Sequence, residues 1–303
     1  MSFDRLQEKI DSLQNPTVVG LDPALEHIPP QILEKHIAER GETLEAAAAA
    51  CYEFNTGLID ALCDIVPAVK PQSAYYELLG PEGVKTLKMT CDYAKSKNMY
   101  VICDGKRNDI GSTAAAYSEA YLGTVKVGGA ELSAFDCDAL TVNAYLGSDG
   151  IKPFVETAAR HDKAVFALVR TSNPSAGELQ DMFIGERRLY TAVGDLMEEI
   201  SRDTAGKYGF TRVGAVVGAT YPEQTAFLRA RLRNTFFLVP GYGAQGGSGG
   251  DAALAFGRDG HGAIINSSRA VIAAWKKTSE DYASAARNEA IRMRDELRRE
   301  IYK

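Results

Sequence analysis

The chain has 303 residues, 45% hydrophobic and 24% charged, with a formal net charge of −6. That length and balance suit a globular α/β protein and exclude a disordered or fibrous chain. The negative charge speaks against a nucleic-acid surface, which needs concentrated Lys and Arg, but leaves room for a small phosphorylated ligand, which a few cations and backbone N–H groups can hold.

The N-terminus, Met1-Ser2-Phe3-Asp4-Arg5, carries no apolar signal core, and no apolar run reaches about 18 residues, so no membrane span is expected. Residues 2–14 read as a short amphipathic helix with Phe3, Leu6, Ile10 and Leu13 on one side. A strand over 17–22 ends in Asp22, and Pro23 stops its ladder. Residues 23–40 are polar and hold prolines, which reads as an excursion from the core. A helix is expected over 42–63, with Leu44, Cys51, Phe54, Leu58 and Leu62 buried and the alanines 46–50 supplying helix propensity.

The second strand, 67–71, ends in Lys70-Pro71. A helix over about 82–97 leads to a strand at 99–104, and another helix is expected over 113–126. Strands follow at 138–142 and at 164–169, whose unbroken apolar run suits burial on both faces. A helix over about 150–160 separates them. Residues 171–184 read as a mobile loop, followed by a helix over about 186–207. Strands at 212–218, 236–239 and 262–266 complete the series, with Pro222 opening a helix between the first two and a final helix over about 279–301. Eight strands alternating with helices predict a closed (β/α)8 barrel, the TIM-barrel class, with an open doubly wound sheet as the other arrangement. No linker divides the chain, so residues 1–303 are expected to form a single domain with excursions at 23–40 and 171–190.

The five cysteines (51, 63, 91, 103 and 137) are odd in number and form no C-x-x-C pair, the pattern of reduced, buried thiols in a cytoplasmic protein. The four histidines (27, 36, 161 and 261) show no metal-ligand spacing.

The stretch Val101 to Thr113 concentrates the chemistry. β-Branched residues at 101 and 102 start a buried strand, and Asp104, Lys106 and Asp109 follow at the strand-to-helix junction. On a strand, Asp104 and Lys106 would share a face. A surface turn with solvated charges would have the same spacing. The flanking strand and helix favour a site, because α/β enzymes place acid and base groups at such junctions. Elsewhere, Asp22, Lys70, Asn143, Ser172, Gln245 and Arg269 also follow apolar runs.

The whole stretch resembles the signature of the orotidine 5'-monophosphate decarboxylase family: two apolar residues, a free position, D-x-K-x-x-D-[IV], a small residue, a free position and Thr. Every fixed position is met, and the likeness extends from residue 17 to about 270, with the longer excursions suggesting the longer, type 2 branch. The resemblance implies decarboxylation of orotidine 5'-monophosphate to UMP and CO2 in pyrimidine biosynthesis, with no metal or organic cofactor. Lys106 would protonate C6, Asp104 would face the substrate carboxylate, and Lys70 and Asp109 would complete an alternating charge cluster. The family's ribose-binding Asp corresponds to Asp22 and its pyrimidine-binding Ser to Ser172. Its 5'-phosphate site corresponds to Gln245 and Arg269, with Ser268 where relatives often have Gly. It further implies a homodimer in which Asp109 and Thr113 reach the neighbouring subunit's site. Each position also has a plain alternative: Asp22 a strand-end cap, Lys70 a surface lysine, Ser172 a polar loop residue, and Pro240 to Gly247 a tight glycine turn. Two other functions remain in view. One is a Mg2+-dependent 3-keto-L-gulonate 6-phosphate decarboxylase, a relative with an acidic residue where Lys70 stands. The other is a non-catalytic nucleotide-binding barrel.

Overall fold

The computed structural model describes residues 1–243 and 246–302. Eight parallel strands form a closed barrel: β1 Thr17–Leu21, β2 Ala68–Pro71, β3 Tyr100–Arg107, β4 Ala139–Val142, β5 Ala164–Arg170, β6 Val213–Val217, β7 Phe237–Val239 and β8 Ala263–Ser267. Each pairs with its neighbour in chain order, and β8 returns to β1 with Val18 opposite Asn266. The eight strands foreseen from the sequence are therefore the eight staves of the barrel.

Strand alternation sorts the apolar residues into two layers. Val18, Ala68, Tyr100, Ile102, Phe166 and Ile264 belong to a cluster that also takes in Phe3, Leu6 and Ile10 of the helix Ser2–Leu13. That helix closes one end of the barrel: the Phe3 ring stacks on Phe236 at 5.0 Å between centroids and meets Phe166 at 4.9 Å. Val69, Val101, Leu140 and Val165 belong to a second cluster, with Phe54, Leu58 and Leu62 of the helix Leu44–Leu62, and Ala215, Phe237 and Ile265 belong to a third. All five cysteines are free, and four are buried.

Several expectations change. The 23–40 segment contains the helix Pro30–Arg40, which buries Ile32 and His36, so it is more than a polar excursion. Leu44 is exposed rather than buried: it is the first residue of its helix, just after the Thr43 cap, whose hydroxyl accepts the Ala46 N–H. The helix expected over 113–126 runs from Gly111 to Leu122, and an exposed hairpin, Val125–Val127 with Ala130–Leu132, follows it. The excursion 171–190, whose residues 171–184 read as a mobile loop, holds a 3-10 turn, a single helical turn and a short hairpin of Phe183–Ile184 with Arg187–Arg188. No helix among the described residues is long and apolar enough to cross a membrane.

Candidate active site

The C-terminal ends of the strands surround a cavity of about 830 Å³, lined by Asp22, Lys70, Asp104, Lys106, Ser172, Ser268 and Arg269 among others. Seven of the ten residues given a role from the sequence thus meet in one place, although they come from five different strand ends.

Asp104 is the hub. Its Oδ2 accepts from Lys70 Nζ at 2.6 Å and from Gln72 Nε2 at 3.0 Å. Its Oδ1 accepts from Lys106 Nζ at 2.7 Å and from Thr141 Oγ1 at 2.8 Å. Burial disfavours the carboxylate, but the ammonium groups of Lys70 and Lys106 outweigh burial and hold the Asp104 carboxyl far below the usual range. Lys70 is the mirror case. Burial works against its ammonium, yet Asp104 and then Asp22 keep it charged beyond the ordinary lysine range. Only 6% of the Lys70 side chain is exposed, against 47% for Lys106. Lys70 is thus buried against Asp104, whereas Lys106 is the more exposed of the two ammonium groups that line the cavity.

The shared face of Asp104 and Lys106 does not arise from regular strand alternation. β3 bulges here: Cys103 lies opposite Leu140, but Arg107 lies opposite Val142, so four steps along β3 match two along β4. Lys106 sits at φ +46°, a left-handed conformation rare for a residue with a side chain. Its N–H leaves the ladder and donates to Thr141 Oγ1 at 2.9 Å.

At the other side of the cavity, β1 and β8 meet closely. A Cβ on Gly20 would lie 1.9 Å from Ser268 Oγ, so only glycine lets Ser268 seat there, beside Arg269. Gly218 does the same for the 171–190 segment, since a Cβ there would lie 2.8 Å from Ser172 Cβ. That segment is pinned from below by Arg170, fully buried, whose guanidinium lies 3.8 Å from the centre of the Tyr221 ring and donates to Thr171 O at 3.1 Å and Asp181 at 3.3 Å. Asp22 Oδ1 is buried without a hydrogen-bond partner among the described residues. Gln245 lies outside the described residues.

Two expected members stand apart. Asp109 accepts the Ile110 N–H at 2.8 Å and does not line the cavity, and Thr113 is exposed in the first turn of its helix. Within one chain the charge cluster is Lys70–Asp104–Lys106, without Asp109, because the bulge and the turn after it carry residues 108–110 away from the cavity. Among the described residues, no group of three or more His, Cys, Asp or Glu is placed to hold a metal ion.

Gln72, Thr141, His27 and Asn266 also line the cavity and were not singled out from the sequence. Two of them left a trace: Gln72 lies two residues past Lys70, and Thr141 is the one polar residue of β4.

Residues 19–282 match the model of the orotidine 5'-phosphate decarboxylase / HUMPS family. An orotidine 5'-phosphate decarboxylase of Rhodopirellula baltica is 44% identical over 270 residues, covering 89% of this chain and 87% of the relative. One from Clostridium perfringens is 37% identical over 306 residues, covering 100% of both. Among solved structures, the Leishmania donovani OMP decarboxylase superposes with a TM-score of 0.73 at 31% identity, over 98% of each chain.

Proposed function

The chain belongs to the orotidine 5'-phosphate decarboxylase / HUMPS family and decarboxylates orotidine 5'-monophosphate to UMP and CO2 in pyrimidine biosynthesis; from that premise we propose that Lys106 delivers the proton and that no metal takes part. The observation that carries this reading is the Lys70–Asp104–Lys106 array, with its one accessible ammonium facing the cavity.

The C6–carboxylate bond breaks heterolytically, CO2 departs, and the electron pair stays on C6. The Lys106 ammonium, already charged and fixed, stabilises that pair as it develops and then gives it a proton. The neutral amine regains its proton from solvent. Asp104 cannot escape by taking a proton, since two lysines hold it ionised. A substrate carboxylate brought against it is destabilised, and the strain is relieved as neutral CO2 forms.

Asp22, with its unpartnered Oδ1, takes a ribose hydroxyl, and Ser172 takes the pyrimidine. Arg269 and Ser268 grip the 5'-phosphate at the last strand ends, where barrels commonly bind phosphate. Gln245 joins them by its place in the glycine-rich run. Asp109 and Thr113 act in a second subunit of a homodimer. Their supports are their position outside the chain's own cavity and the exposed apolar side chains of Ile110, next to Asp109, and Leu146.

Lys106→Ala is expected to lower kcat by at least roughly 10³-fold while UMP still binds. The loss of orotidine 5'-monophosphate absorbance, followed with EDTA present, checks both claims. Near-normal turnover of the variant removes the proton-donor role, and dependence of the parent enzyme on a metal removes the metal-free mechanism.

A further inference from the structure

We propose that Thr141 is a positioning residue for proton delivery, acting through Lys106 and Asp104; the inference rests on Lys106 being the proton donor. Thr141 is 1% exposed in a strand otherwise made of Ala139, Leu140 and Val142. A buried hydroxyl in such a strand is disfavoured unless it is hydrogen-bonded, and this one is bonded twice. It accepts the Lys106 N–H at 2.9 Å and donates to Asp104 Oδ1 at 2.8 Å. The same Oδ1 accepts the Lys106 ammonium at 2.7 Å.

These bonds close a ring. Lys106 is tied at its main chain to Thr141, Thr141 to Asp104, and Asp104 back to the tip of the Lys106 side chain. Both ends of the proton donor are thereby referred to one hydroxyl on the neighbouring strand. The ring sits where support is most needed. The bulge takes the Lys106 N–H out of the sheet ladder, and the Thr141 hydroxyl supplies the acceptor that the ladder no longer provides. It also holds Lys106 at φ +46°, a conformation that persists only where its surroundings fix it. With the hydroxyl gone, the bulge is free to relax and the ammonium loses its fixed place, while Asp22, Ser172 and Arg269 are untouched.

The experiment compares Thr141→Val, which keeps the shape and removes both hydrogen bonds, with Thr141→Ser, which keeps both bonds and removes a methyl. In Thr141→Val, kcat is expected to fall roughly 10- to 100-fold, with KM and UMP affinity within about threefold of the parent. In Thr141→Ser, kcat is expected to stay within about threefold of the parent. Thr141→Ala, which introduces no new bulk, gives the same comparison should the valine variant not fold. Full kcat in the valine or alanine variant overturns the proposal. So does an equal loss in the serine variant, which means packing alone, or a raised KM at unchanged kcat, which means a substrate contact. A Lys106→Ala enzyme that still turns over refutes the underlying reading instead, so the two failures are distinguishable.

Discussion

Asp104 must remain a carboxylate where only a tenth of its side chain meets solvent. It does so because each oxygen accepts from one ammonium and one neutral donor, so no lone pair faces apolar surroundings. The arrangement has a signature in pH. The folded Asp104 carboxyl lies below its unfolded value, so the unfolded chain binds the extra proton in acid. Its stabilisation is full above about pH 4 and drains as pH falls toward the folded value. Lys70 is shifted upward, so its share is full below about pH 10 and drains only as pH rises further. Asp104→Asn leaves Lys70 buried beside a neutral partner and is expected to destabilise the fold by about 3–5 kcal/mol near pH 6. Urea unfolding at pH 6 and at pH 3 checks this: the gap between variant and parent must narrow in acid. A gap independent of pH shows that Asp104 carries no linked proton.

At the scale of elements, the barrel separates stability from chemistry. The helix Ser2–Leu13 fills one end with Phe3, which is 1% exposed, while the charged array occupies the strand ends that open on the cavity. Phe3→Ala removes the ring that meets Phe166 and Phe236 and is expected to cost about 3–5 kcal/mol of folding stability. Turnover by the folded fraction at low temperature should be unchanged; a matching loss of kcat shows that the helix reaches the site. The strands and Phe3's burial were legible because an apolar strand or helix face is written locally, in periods of 2 and 3.6. The β3 bulge was not. Its positive φ at Lys106 is imposed by Thr141, 35 residues further on, and no local pattern encodes that bond. The segment 171–190 was legible as an excursion from its polar composition. Its anchor, Arg170, was not, because the ring that holds the guanidinium, Tyr221, arrives from beyond the next strand.

At the scale of the whole molecule, the signature's last eight residues, Lys106–Thr113, divide into two destinations. Lys106 enters the chain's own cavity, whereas Asp109 lies outside it and the exposed Thr113 follows in the next helix. On the proposed dimer, an isologous interface would carry Asp109 and Thr113 of each subunit to the other's cavity, whereas a one-chain site would leave both outside it. Mixing two inactive variants separates these arrangements. In a heterodimer of Lys106→Ala with Asp109→Ala, a cross-subunit site leaves one of the two centres with both residues intact. Random re-association of equal amounts should therefore restore about a quarter of the parent activity, counting intact centres over the symmetric assembly. If Asp109 served its own chain, every centre in the mixture would lack one residue or the other and activity would stay at the level of the separate variants. The readout is the same absorbance assay, run before and after co-refolding the two proteins. Restoration to that level places Asp109 across the interface and fixes the functional unit as the dimer, while its absence returns the site to a single barrel.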